Sequence, residues 1–177
     1  MRYIAFLRGI NVGGQKKIKM LDLKVMFEAL NFINVKTYIQ SGNVSFDYGT
    51  TDTIELSNVI EKKISETFGF LVKAIIRTED ELRNIVNNNP FTKQENIELD
   101  KVYITLMVDI PQPSTVSLLD MKKEENEKFI IISSEIYVYC PNGYGRTKLN
   151  NNMFEKKLKT DATTRGLKTL NNILGNM

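Results

Sequence analysis

The alternation of apolar and polar positions changes period several times along the chain, and the changes predict an order of elements. Tyr3–Leu7 is apolar on both parities and bounded by charge and glycine, the pattern of a buried strand. From Leu21 to Asn31, Val25/Ala29 and Met26/Leu30 recur at i,i+4 and predict a helix with one apolar face. Val35–Ile39 and Val44–Phe46 read as two strands joined by the turn Gln40-Ser41-Gly42-Asn43. Asp52, with Glu55 three residues on, predicts a helix start, and Leu56, Ile60, Ile64 and Phe68 then recur every four residues. Phe70–Ile76 is predicted as another strand, which completes βαββαβ, the ferredoxin-like order.

A similar series follows. Thr78-Glu79-Asp80-Glu81 is a capping box for a short helix ending by Asn87, and the Asn-Pro cluster behind it divides the chain into halves 1–89 and 90–177. Lys101–Asp109 alternates as a strand, Pro113-Ser114 opens a helix expected to reach Lys122, and Phe129–Ser133 and Ile136–Cys140 read as strands. Tyr103, Tyr137 and Tyr139 are expected to share one sheet face. A helix with Leu149, Met153, Phe154 and Leu158 inward comes next, and Thr164 is read as the cap of a final helix buried through Leu167, Leu170 and Leu174. The predicted class is α+β: two ferredoxin-like halves with antiparallel sheets and an extra C-terminal helix. The implied internal duplication lies in the order of elements, not in matching residues.

Composition narrows the chemistry. The chain has 177 residues, one cysteine and no histidine. Without histidine, Ser-His-Asp and Cys-His catalysis lack their general base, and a Cys/His zinc site has no ligand set. No apolar run reaches the roughly 18 residues of a membrane span and no signal peptide is recognisable, so the expected location is the cytoplasm, without a membrane partner. The net charge of +3 is unevenly spread. Residues 1–24 carry six Lys/Arg against one Asp, and residues 142–177 seven against two, so each end holds +5 while the middle holds −7. Basic ends point to an anionic partner.

Three connections concentrate that charge. Between the first strand and helix lie Arg8, Gly9, Asn11, Gly13, Gly14 and Lys16, followed by Lys17 and Lys19. Glycines can turn backbone N–H groups toward an anion, and an arginine can fork onto phosphate oxygens. The spacing matches neither the P-loop, since Gln15 follows Gly14, nor the dinucleotide fingerprint. Gly143, Gly145, Arg146 and Lys148 repeat the recipe before a helix, and Thr163, Thr164 and Arg165 place two hydroxyls and a guanidinium at another expected helix start. Gln40, Ser41 and Asn43 could read a base or sugar, although Gly42-Asn43 is equally good turn chemistry. Each connection has a plain alternative as a turn or cap. The functional expectation is that all three share one electropositive hollow.

The segments Leu7-Arg8-Gly9-Ile10-Asn11-Val12-Gly13-Gly14, Thr37-Tyr38-Ile39-Gln40-Ser41-Gly42-Asn43-Val44 and Ala162-Thr163-Thr164-Arg165 resemble the signature segments of an uncharacterised bacterial family, domain of unknown function 1697. The resemblance spans nearly the whole chain and implies an α+β fold of ferredoxin-like parts, with no assigned activity. It departs at Gly166-Leu167, where the family commonly has Asn and an aromatic, and at Thr147, where Ser is more usual.

Three functions fit these residues. The first is binding of a phosphate-bearing ligand, a nucleotide or nucleic acid (RNA or DNA), with no cofactor implied. The RNA-recognition signature matches Ser41–Tyr48 only at Gly42 and Tyr48, and the sequence pI of ≈ 8.8 is modest, so a compact anion site is preferred to a long groove. The second is an enzyme on a phosphorylated or nucleotide substrate, using Lys16, Arg146 or Lys148 for transition-state charge, with Asp161 as the nearest carboxylate. The third is a protein-interaction module.

Overall fold

The first strand, β1 (Arg2–Leu7), is buried along almost its whole length and is an inner strand of its sheet, paired on both sides. The computed structural model describes residues 1–116, 119 and 126–176. They divide into two compact units, Met1–Leu82 and Arg83–Asn176.

In the first unit β1 is followed by α1 (Met20–Glu28), β2 (Ile33–Tyr38), β3 (Asn43–Asp47), α2 (Thr53–Phe68) and β4 (Ala74–Thr78). The antiparallel sheet runs β2-β3-β1-β4. Residues directly opposite in such a ladder share a face. Tyr3 lies opposite Phe46, and Ala5 opposite both Val44 and Ile76, so these side chains form one apolar surface. The helices cover it with Leu23, Met26 and Phe27 from α1 and Leu56, Ile60 and Ile64 from α2. Each such side chain, fully buried, contributes ~1.5–3 kcal/mol.

The spacing in α2 is as predicted. Its first N–H groups are met by Asp52, whose Oδ1 accepts from Ile54 N at 2.7 Å, and Gly69 closes it at φ 79°. Helix α1 differs in phase: Val25 and Ala29 face solvent and Leu23, Met26 and Phe27 face the sheet. Two apolar stripes compete on that short segment, and the sheet accepts the one carrying the large Phe27 ring, which meets Phe46 edge-on at 5.5 Å. The expected strand at 70–76 begins later, at Ala74, where pairing with β1 starts.

Thr78 and Glu81 form the reciprocal capping box: Thr78 N donates to Glu81 Oε2 at 2.7 Å and Glu81 N to Thr78 Oγ1 at 3.2 Å. It opens α3 (Glu79–Asn87), within which the chain passes from the first unit to the second.

The second unit contains β5 (Val102–Met107), α4 (Pro113–Val116), β6 (Lys128–Ile132), β7 (Glu135–Tyr139), α5 (Asn151–Leu158), β8 (Ala162–Gly166) and α6 (Leu167–Gly175). Its sheet order, β6-β7-β5-β8, is that of the first unit. Most of the expected helix beyond Val116, toward Lys122, falls outside the described residues. Among the described residues no helix is long and apolar enough to cross a membrane.

Two expectations are corrected here. Thr163, Thr164 and Arg165 do not start a helix; they are the middle of β8, paired with Leu106, Thr105 and Ile104. Two consecutive β-branched threonines suit a pleated strand, and the N-cap of α6 is Gly166, which makes no side-chain cap bond. Tyr103 also faces away from Tyr137 and Tyr139. It lies opposite Val138, whereas Tyr137 lies opposite Ile104 and Tyr139 opposite Val102. The register of the pair decides that parity, and no single strand states its own register.

On the Tyr103 side, Met107, Ile136, Val138, Leu149, Phe154 and Ala162 pack into a core that includes Cys140. Burial pushes the Cys140 thiol up to about 11, opposed by a hydrogen bond with Thr147. On the other face Tyr137 OH donates to Ile85 O at 3.1 Å, and burial raises this phenol to about 12.

A fork of two hydrogen bonds ties the far ends of β1 and β3. Arg2 Nε donates to Asp47 Oδ1 at 2.7 Å and Nη2 to Oδ2 at 3.0 Å, while Asn34 Nδ2 donates to Oδ2 at 2.7 Å. The Arg2 bonds hold the Asp47 carboxyl below the usual carboxylate range against a smaller opposing effect of burial. A depressed folded-state pKa stabilises above the unfolded value of about 4 and ceases to do so as pH falls through the folded one. Asp47→Asn is therefore expected to cost about 1 kcal/mol at pH 7, with the gap to wild type narrowing below about pH 4. Urea titrations at pH 7 and pH 3 check this; an equal gap at both would show that the charge on Asp47 contributes nothing. Cys140 is expected to stay unreactive to a thiol reagent at pH 8 while the protein is folded and to react with one equivalent in urea. Rapid labelling of the native protein would contradict its packing.

Candidate functional site

As the chain leaves β1, its backbone stays bonded on both sides: Leu7 N donates to Gly42 O and Arg8 N to Lys73 O, each at 2.8 Å. Ile10 then turns inward and is buried beneath the β2–β3 connection. A Cβ at Gly42 would lie 2.7 Å from Ile10 Cδ1 and 2.9 Å from Leu7 Cβ, and φ there is +74°. Only glycine fits that approach.

Residues 11–16 fold back as a miniature hairpin. Asn11 N donates to Lys16 O at 3.2 Å and Gln15 N to Val12 O at 3.1 Å. Gly13 and Gly14 occupy the tip with φ of 58° and 76°, the paired positive values of a type I′ turn. The glycines thus serve a tight reversal. The Asn11 side chain anchors the hairpin: Oδ1 accepts from Ile18 N at 2.9 Å, and Nδ2 donates to Ile18 O at 3.0 Å and Gln40 O at 2.9 Å. Lys16 Nζ donates to Leu71 O at 2.7 Å, a second tether.

The adjoining β2–β3 turn is held from inside. Buried Asn43 donates through Nδ2 to Tyr38 O at 3.1 Å and Ser41 Oγ at 3.0 Å. Ser41 and Asn43 therefore act within the turn. Ile39 sits there at φ 49°, an uncommon conformation for a β-branched residue.

Between the hairpin, the start of α1 and the last turn of α2 lies an open hollow of ≈ 520 Å³. Three of the residues singled out from sequence, Asn11, Gly14 and Gln40, line it. Lys17, Lys19 and Asp22 add charge, and Ile18, Met20 and Phe68 an apolar wall. Lys17 and Lys19 belong to the basic stretch recognised in the sequence. Phe68 carried no signal beyond its place in the helical repeat, and Asp22 none beyond its place near a helix start. Arg8, Gly9, Gly13 and Lys16 lie in the same loop without lining the hollow.

The other basic segments belong to the second unit. The loop at 142–148 contains a single 3₁₀ turn, Tyr144–Arg146, and leaves Arg146 and Lys148 exposed. It does not run directly into a helix as expected. Thr147 Oγ1 accepts from Leu149 N at 2.9 Å, and α5 begins only at Asn151, capped by Asn150, whose Oδ1 accepts from Met153 N at 3.1 Å.

Tyr144 joins that loop to β8 by donating its hydroxyl to Thr164 Oγ1 at 3.0 Å. Thr164 Oγ1 also lies 2.7 Å from Thr105 Oγ1 and donates to Asn151 Oδ1 at 3.1 Å. The hydroxyl counted as a helix cap is thus the centre of a cross-strand network. Buried Arg165 turns Nη1 back to Thr163 Oγ1 at 2.7 Å and Thr164 O at 2.9 Å.

The fold has a solved counterpart. The conserved bacterial protein SP0830 from Streptococcus pneumoniae is similar at a TM-score of 0.74 and 20% identity, over 98% of this chain and 97% of that one. That likeness shows the fold. No curated protein matches the chain. The family model of DUF1697, a protein of unknown function, matches residues 1–137, and the chain belongs to that family.

Proposed function

We propose that the protein binds a small phosphate-bearing ligand in the hollow beside residues 8–19. One observation carries the reading. Lys17, Lys19, Asp22 and Gln40 surround the same space, and among the described residues none of these four side chains has a hydrogen-bond or ion-pair partner. Their neighbours contrast with them: Asn11, Lys16 and Asn43 spend their side chains on backbone groups. The loop's structural work is done by one set of polar groups, and a second set is left at the cavity.

Two ammonium groups at one concave site suit an anion. Each charge-assisted hydrogen bond contributes about 1.5–3 kcal/mol. Two of them, with apolar contact to Met20 and Phe68, support millimolar to micromolar affinity after ordering costs. The size of the hollow falls within the range of about 300–1,000 Å³ of small-molecule pockets, which favours a compact ligand over a nucleic-acid strand. We take the cytoplasm to be the site of action and the shared strand order of the two units to reflect an internal duplication.

Replacing Lys17 and Lys19 together by alanine is expected to weaken binding of pyrophosphate at least tenfold by titration calorimetry. Both side chains are exposed, so the melting temperature should move by no more than about 2 °C. Undiminished binding by the double variant would remove these lysines, and with them the hollow, from the function.

A further inference from the structure

We propose that the ligand is a ribonucleoside monophosphate, with Asp22 reading the sugar hydroxyls; this rests on the phosphate-ligand reading of the hollow. The reasoning starts from the residue that a simple anion site would not have. Asp22 lines the hollow with Lys17 and Lys19, and its carboxylate repels a bare phosphate. A ligand that satisfies all three must offer an anion to the lysines and hydrogen-bond donors to the carboxylate. A ribose diol beside a phosphate has that combination, and carboxylates accept from ribose hydroxyls in other nucleotide sites.

The rest of the wall fits the remaining part of such a molecule. Met20 and Phe68 supply an apolar surface for a planar base. The Phe68 ring stacks on Phe70, with centroids 6.3 Å apart and planes at 25°, and both pack against the core. Gln40 has an amide able both to donate and to accept at a base edge, and its backbone is fixed by the bond from Asn11.

Charge selects the monophosphate. Two lysines against one aspartate leave the lining at a formal +1, which complements a phosphate monoester better than a triphosphate.

Calorimetry on the full chain with AMP, 2′,3′-dideoxy-AMP, inorganic phosphate and a ten-nucleotide oligouridylate tests this. AMP should bind at least tenfold more tightly than either the dideoxy compound or inorganic phosphate. Asp22→Asn should weaken AMP, abolish its advantage over the dideoxy compound and leave inorganic phosphate unchanged or tighter. That crossing of signs is not what general loss of structure produces. Phe68→Leu should weaken AMP and spare ribose 5-phosphate. If phosphate binds but AMP gains nothing over it, or the Asn variant keeps the preference for ribose, this proposal falls while the phosphate-site reading stands. Binding of the oligonucleotide without AMP would replace it with a strand-binding surface. If no anion binds, both fall.

Discussion

One carboxamide determines where the loop after β1 goes. Asn11 accepts from one end of the loop, donates back to the same residue, and donates across to the β2–β3 turn. Three hydrogen bonds from one side chain close an excursion that would otherwise spend its entropy in solvent. Because both sides are fixed, Lys17, Lys19 and Gln40 reach the same space from separate stretches of chain. Gly42 makes the closure sterically feasible, since a side chain there would collide with Ile10 and Leu7.

The two units share a strand order but use it differently. In the first, the connection from β1 to α1 is long, glycine-rich and tethered, and a hollow opens beside it. In the second, polar groups on the Tyr103 face of the sheet turn inward: Thr105, Tyr144, Asn151 and Thr164 satisfy one another. A mutually satisfied buried network specifies packing, whereas uncommitted polar groups around a cavity are available to something else.

The chain has no histidine, and its one cysteine is deeply buried in the second unit. Cys140 is raised well above neutral pH by its packing, so no ready thiolate exists there. Lys16, one cation considered for an enzymatic role, holds the loop to Leu71 instead. The groups around the hollow are two ammonium groups, a carboxylate, an amide and an apolar wall.

Local pattern by itself determined much of the molecule. The period of α2, the capping box at Thr78 and Glu81, the order of the elements in the first unit and the basic loop after β1 all depend on residues a few positions apart. The same local reading mistook Thr163-Thr164-Arg165 for a helix start, because a threonine suits both a cap and a strand and only the partner strand β5 breaks the tie. It also put Tyr103 on the wrong face, since register belongs to a pair of strands. Which basic residues surround a common space was decided by tertiary structure. Phe68 enters the wall through the packing of α2, Asp22 through the placement of α1, and Lys16 leaves it through a bond to Leu71. Those contacts join residues tens of positions apart, and sequence periodicity carries no term for them.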